Sequence, residues 1–147
     1  MRLTPYTALA VAAVVSGTVM LDARRASATD PCSLLSLDKV AAALGVPEVK
    51  TPGGTNRCIW VPKKYAPGAT KTVTLQLMDE KGFEAQRKRP DVIPITGIGD
   101  AAVQTTRIPV LTVKKGNLYF ALSVAGLAVE QAKAAEQSLA KQIVSGL

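Results

Sequence analysis

Apolar and polar residues alternate most regularly between Lys71 and Met78, where Val73, Leu75 and Leu77 are separated by threonine and glutamine. Such alternation predicts a β-strand with one buried side and one side that faces water. This pattern is typical of an antiparallel sheet that is covered on a single face.

Four further runs have the composition of short strands. They are rich in β-branched or aromatic residues, and turn residues such as glycine, proline and asparagine lie between several of them. These runs are 57–61, 102–106, 109–114 and 118–124. The sequence Lys115-Gly116-Asn117 predicts a tight hairpin between the last two.

Three segments are predicted to be helices, the first and third from apolar residues at helical spacing and the second, a polar one, from its cap and an ion pair. The first follows Ser36 as N-cap and ends before Gly45. The second begins after Asp79 and continues to about Lys88, with Glu84 and Lys88 spaced to form an ion pair. The third is 128–144, and its predicted buried stripe contains Ala128, Ala132, Ala135, Leu139 and Ile143.

The order of these elements is α-β-β-α-β-β-β-α. We therefore predict an α+β fold in which an antiparallel sheet of about five strands has helices packed on one face.

The first 28 residues have the pattern of an export signal. Arg2 supplies a positive charge, residues 7–21 are mostly apolar, and Ala26-Ser27-Ala28 matches a cleavage site. The alternative is a retained anchor. Cleavage leaves residues 29–147 as a single exported domain, periplasmic or extracellular.

The net charge is mildly positive. It is +7 for the whole chain and falls to +5 without residues 1–28, which contain three arginines and one aspartate. A nucleic-acid-binding domain needs a denser basic stripe. The charge therefore predicts no nucleic-acid partner and at most peripheral contact with a membrane.

The two cysteines, Cys32 and Cys58, pair most simply with each other if the chain is exported. The alternative is two free thiols. No C-x-x-C motif or histidine is present to activate a thiol.

The residues that usually carry catalysis are scarce. Histidine is absent, which excludes the usual serine triads and zinc sites. Ser36 and Lys39 match S-x-x-K, but no S-D-N or K-T-G partner accompanies them. The carboxylates of Asp79, Glu80 and Glu84 lack the spacing of a calcium loop. We predict no catalytic residue, no metal site and no cofactor.

The sequence Gly97-Ile98-Gly99-Asp100-Ala101-Ala102 resembles a dinucleotide-binding fingerprint. That motif needs a helix after it, whereas the residues that follow here predict a strand. We interpret it as a tight turn in which Asp100 binds local amides.

Basic residues supply the only concentrated charge. If the loops that carry these residues converge, the residues form a basic patch suited to an anionic partner. The residues are Lys63, Lys64, Arg87, Lys88, Arg89, Lys114 and Lys115. Trp60 and Tyr65 suggest ligand stacking, although a tryptophan in the position of Trp60, beside Cys58, more often packs in the core against the bridge.

Several short motifs together resemble a family of small exported bacterial domains of unknown function, common among actinobacterial lipoproteins. The motifs are Asp30-Pro31-Cys32-Ser33-Leu34-Leu35, Cys58-Ile59-Trp60, Gly97-Ile98-Gly99-Asp100-Ala101-Ala102 and Val113-Lys114-Lys115-Gly116-Asn117. The resemblance implies a disulfide and an α+β fold. Unlike many of those lipoproteins, this chain has no lipobox before Cys32.

These observations predict a non-catalytic exported domain that binds a protein partner or a cell-envelope component. One alternative is a carrier or sensor that holds a small apolar ligand between sheet and helices. A remote alternative is a small hydrolase that uses carboxylates or Ser/Lys chemistry.

Overall fold

The computed structural model describes residues 29–47, 49–51, 54–64 and 70–147. The predicted export signal, residues 1–28, and the side chain of Tyr65 lie outside the described residues. Within the described part, no helix is long and apolar enough to cross a membrane.

Three α-helices and seven strands make up the described chain, after a short 3₁₀ turn at Pro31–Ser33. The helices are α1 (Leu37–Leu44), α2 (Glu80–Arg87) and α3 (Val129–Ser145). The strands are β1 (Val49–Lys50), β2 (Arg57–Pro62), β3 (Thr72–Met78), β4 (Val92–Pro94), β5 (Ala101–Thr105), β6 (Leu111–Lys115) and β7 (Leu118–Ala125).

All strands join one antiparallel sheet in the order β1-β2-β3-β7-β6-β5-β4. The predicted α+β class is confirmed. The sheet is larger than the predicted five strands, because β4 and the two-residue β1 were not expected.

Local sequence signals explain where the elements end. Gly45 follows α1 with φ +63°, which L side chains rarely adopt. The carboxylate of Asp79 accepts the Gly82 N–H at 2.7 Å and so caps α2. Gly116, with φ +56°, turns β6 into β7. The predicted Glu84–Lys88 pair is wrong: Glu84 binds Arg87 instead, one helical turn away.

Helices α1 and α3 cover one face of the sheet. Strand β7 presents Phe120 and Leu122 to this face, and both are buried with α3 residues Leu139 and Ile143. Trp60 of β2 is also fully buried in this layer. The layer between the sheet and these helices is therefore filled by large apolar side chains.

Helix α2 lies on the opposite face, which corrects the prediction that all helices share one face. Tyr119 and Phe120 are adjacent in β7, so their side chains point to opposite faces. Phe83 of α2 packs against Tyr119, with ring centroids 5.8 Å apart. One residue, Asp79, joins β3 to α2, and Met78 at the end of β3 pairs with Tyr119. This short connection keeps α2 next to the Tyr119 face.

A disulfide joins Cys32 to Cys58, as predicted. It ties the segment before α1 to strand β2 and closes a loop with a sequence separation of 26 residues. Cys58 is fully buried, and no free cysteine is present among the described residues.

Strand β4 forms one edge of the sheet. The Ile95 N–H donates to the Ala102 carbonyl and the Thr106 N–H donates to the Asp91 carbonyl. Since successive residues of a strand direct their backbone groups to opposite sides, Val92 and Pro94 direct theirs away from β5. A proline is tolerated here because an edge position needs no N–H donor toward a neighbouring strand.

Candidate functional site: an arginine-rimmed groove

Four of the seven predicted basic residues lie around one groove on the α2 face of the sheet. Arg87 and Arg89, at the end of α2 and just after it, line the groove. Lys88 lies between them in the chain and is exposed. Lys114 is the cross-strand neighbour of Ala101, which also lines the groove.

Lys63 and Lys64 lie at the far end of the sheet. They follow the last residue of β2, which lies beside the first residues of the antiparallel strand β3. Thr72, the first residue of β3, pairs with Ala125, the last residue of β7. Lys115 pairs instead with Leu118, the first residue of β7. Because β7 has eight residues, its ends are separated by about 24 Å. The predicted patch is therefore divided into two groups.

The floor of the groove is apolar. Its volume is about 400 Å³, and the residues that line it besides the arginines are aliphatic or proline. They are Val92, Pro94, Ile95, Ala101, Ala102 and Val103. Concave apolar surfaces with few polar groups are typical of binding sites.

Arg89 is held in a fixed orientation at the rim. Its Nε and Nη2 donate to the two carboxylate oxygens of Asp91 at 2.9 and 2.8 Å. The Asp91 carbonyl is in turn bound by the backbone N–H and hydroxyl of Thr106 on the neighbouring strand. A bidentate pair of this kind restricts the guanidinium more than a single contact does.

The charges of the rim are only partly neutralised. Arg87 donates to Glu84 and Arg89 to Asp91. Lys88 has no ion pair with any described residue, and the Lys114 ammonium lies 5.5 Å from the centre of the Tyr119 ring. Neither Lys88 nor Lys114 forms an ion pair with a described residue, although the Lys114 charge helps to lower the pKa of Asp100. The rim therefore keeps a net positive charge.

Sequence analysis missed one further cation near this rim, Arg107. The hydrogen bonds from Arg89 lower the pKa of Asp91 most strongly, and the charge of Arg107 adds a smaller effect in the same direction. The Arg107 guanidinium therefore lies close enough to Asp91 for its charge to affect the pKa of that carboxylate. A lone arginine in a loop gives no sequence signal, because only the β4–β5 pairing brings it near Asp91.

The Gly97–Ala102 motif is a turn, and the strand β5 follows it as predicted. The partner of Asp100 is not the local amide that we expected, because its carboxylate accepts the Gly116 N–H at 2.7 Å. This bond, and secondarily the Lys115 ammonium at 3.3 Å, lowers the pKa of Asp100. Lys115 therefore stabilises the β6–β7 hairpin together with Asp100.

The other candidate residues are accounted for by structure. Ser36 is at the N-cap of α1 but makes no side-chain capping bond there, and Asp79 caps α2. Trp60 is fully buried, which fits core packing; its indole N–H has no partner among the described residues. The described residues also contain no cluster of His, Cys, Asp and Glu that could hold a metal ion.

A further hollow lies between α1 and α3. It has a volume of about 480 Å³, opens to solvent, and is lined by small residues such as Ala42, Ala43 and Ala135. It faces outward and does not enter the layer between the helices and the sheet, where the alternative carrier function would place its ligand.

Comparisons with known proteins add no functional residue to the site. No family model, no curated protein and no solved structure matches this chain. The function proposed below therefore depends on the geometry and charge of the groove alone.

Proposed function

We propose that this protein is a non-catalytic exported domain that binds a protein partner. The binding site is the arginine-rimmed groove, and its ligand is a segment of the partner that carries carboxylates beside apolar side chains. The observation that carries the proposal is the combination of an apolar floor with a cationic rim.

The floor supports a polypeptide rather than a polysaccharide. A sugar polymer presents hydroxyl groups, which lose hydrogen bonds to water when they lie on aliphatic side chains. Valine, leucine or isoleucine side chains of a peptide instead gain from leaving water at the surface formed by Val92, Pro94 and Val103.

The rim supports an acidic segment. Arg87 is about half exposed, and an exposed guanidinium can bind a second carboxylate with its remaining N–H groups. Lys88 and Lys114 add positive charge nearby, which attracts an anionic segment before contact is made. The fixed position of Arg89 lowers the entropy that binding must remove from the site.

The test is a comparison of two charge variants that differ only in position. We expect the double variant Arg87→Gln/Lys88→Gln to bind a short fluorescent peptide of alternating glutamate and valine about tenfold more weakly than wild type, or about 1.4 kcal/mol. Fluorescence anisotropy measures this, and the affinity should fall as salt rises. Folding should change little, because exposed ion pairs contribute little to stability.

The matched control is Lys63→Gln/Lys64→Gln, which removes the same charge from the far end of the sheet. It should bind the peptide as wild type does. Equal weakening by both variants would mean that net charge alone drives binding, and the groove would not be the site. Binding of an acidic polysaccharide in place of the peptide would favour an envelope polymer as the ligand.

Export is part of the proposal, and the disulfide supports it because such bonds persist in oxidising compartments. We expect the mature protein to begin at Thr29, after the Ala26-Ser27-Ala28 site. The intact mass of the exported protein measures this. A mass that still includes residues 1–28 would show that the leader is kept as an anchor.

A further inference from the structure

A glutamate is buried between α3 and the sheet, where the sequence pattern predicts only apolar residues. Glu136 has no exposed surface. One carboxylate oxygen, Oε1, accepts the backbone N–H of Val124 at 3.0 Å, and Oε2 accepts the side-chain amide of Gln104 at 2.8 Å. The Oε1 of Gln104 accepts in turn from the side-chain amide of Gln137 at 2.8 Å.

We infer that these groups form a proton-controlled hydrogen-bond chain, which reverses its direction when Glu136 takes up a proton and thereby makes the contact between α3 and the sheet responsive to pH. This inference is independent of the groove and of any partner. It rests on the fixed order of donors and acceptors in the chain.

One end of the chain cannot reverse. Strand β6 begins at Leu111, which pairs with Leu122, so β6 has no residue opposite Val124. The Val124 N–H can only donate, and Glu136 supplies the acceptor that the neighbouring strand lacks. The Oε1 atom of Glu136 is therefore committed to accepting in either protonation state.

A proton on Glu136 must consequently sit on Oε2, opposite Gln104. In the ionised form both oxygens accept, and the amides donate from Gln137 to Gln104 to Glu136. In the protonated form Oε2–H needs an acceptor. Gln104 provides it by turning its amide so that its own oxygen faces Glu136. Its NH₂ group then faces Gln137, which must present its oxygen.

The surroundings make this proton uptake accessible near neutral pH. Burial raises the pKa of Glu136 to about 7, although the hydrogen bonds from Val124 and Gln104 oppose the rise. Lys133, on the same helix, opposes it more weakly, and no other charge contributes. The strand segments beside Glu136, in β5 and β7, contain no charged residue. In β6, Lys114 and Lys115 lie at the end of the strand farther from Glu136, where they contact Tyr119 and Asp100. In α1, Asp38 and Lys39 are exposed to solvent.

The reversal reaches the surface through Gln137, which is only half-buried. When its oxygen turns toward Gln104, its NH₂ group turns toward water. The protonation state of a group with no contact to solvent thus changes which atoms the exposed side of α3 presents. Above the pKa, the helix holds an uncompensated buried charge against the sheet, and its docking is weaker.

Nuclear magnetic resonance of the side-chain amides tests the inference directly. We expect the NH₂ signals of Gln104 and Gln137 and the backbone amide of Val124 to shift together as pH changes, with one shared inflection at about 7. Glu136→Gln should remove this inflection. The matched control Glu130→Gln, which changes an exposed glutamate six residues earlier on α3, should keep the inflection and move it at most to lower pH, because it frees Lys133 from its ion pair.

Two results would overturn the inference. One is a Glu136 carboxyl signal in wild type that titrates at the ordinary value of a glutamate. The other is an inflection seen at Val124 but absent from both glutamines, which would show that Glu136 titrates without reversing the chain. Both are read from the wild-type protein, so the test survives even if Glu136→Gln does not fold.

Discussion

Replacement of Cys58 by serine is expected to lower the free energy of unfolding by about 2–5 kcal/mol. The Cys32–Cys58 bridge closes a loop with a sequence separation of 26 residues, and without it the unfolded chain gains conformational freedom. The new hydroxyl also enters a fully buried position, where the Thr51 hydroxyl, 3.0 Å from the Cys58 sulfur, offers one partner and so limits the cost of burial. Urea denaturation monitored by the fluorescence of Trp60 measures the change.

The variant Cys32→Ser separates these two causes, because Cys32 is only partly buried. It removes the same bridge and leaves a thiol at position 58, so its loss should be smaller than that of Cys58→Ser. Reduction of the wild-type protein should resemble Cys32→Ser. Denaturation curves that coincide for the oxidised and reduced wild type would contradict a stabilising role for the bridge.

The second large effect is a loss of stability as pH rises from about 4.5 to about 7, between the unfolded and folded pKa values of Glu136. Glu136 has a folded-state pKa of about 7, raised from 4.5, so the folded protein holds a proton that the unfolded chain releases. This contribution is fully present below the unfolded pKa and disappears as pH rises through the folded pKa. The difference corresponds to about 3 kcal/mol. Urea denaturation over a series of pH values measures it.

Glu136→Gln cannot titrate, so its stability should be nearly constant over this pH range. It should exceed that of wild type in mildly alkaline solution. Glu130→Gln serves as the comparison, because the Glu130 side chain is 84% exposed and its loss should preserve the wild-type pH profile. A wild-type protein that is equally stable at both ends of this pH range would mean that burial does not shift the titration of Glu136.

The long strands and helices α1 and α3 could be predicted because each has a regular apolar pattern, and α2 could be predicted from its Asp79 cap. Alternation located β3, and helical spacing together with Gly146 located α3 within one residue at each end. The two-residue β1 and the proline-containing β4 could not be predicted this way, since strands of that length show no period. The face of the sheet that α2 covers could not be predicted either, because a helical pattern does not reveal which side of a sheet the helix covers.

The candidate site was predicted only in part. The basic run at 87–89 is visible in the sequence, but the groove floor comes from strand pairing between β4 and β5. Val103 faces the α2 side and is nevertheless buried, so alternation along β5 does not distinguish its two faces. Register likewise decides that Lys63 and Lys64 lie far from Lys114.

Glu136 did leave a signal that could have been used. It lies four residues after Ala132 and three before Leu139, which places it on the buried side of α3. The predicted stripe passed through Ala135 instead, because a charged residue was not expected on an apolar face. A glutamate at helical spacing from buried residues is therefore a reason to look for amide partners on the facing strand, as Gln104 proves to be.

Strand β4 also determines how the molecule behaves beside other copies of itself. An exposed strand edge with free N–H and C=O groups invites a strand from another chain, and repeated pairing of this kind leads to fibrous aggregates. Of the two residues of β4 that direct their backbone outward, Pro94 has no N–H, so Val92 alone offers a donor. A foreign strand would find one donor and two acceptors, the Val92 and Pro94 carbonyls, which is too few for an extended ladder. The protein should therefore not polymerise through this edge, even at high concentration.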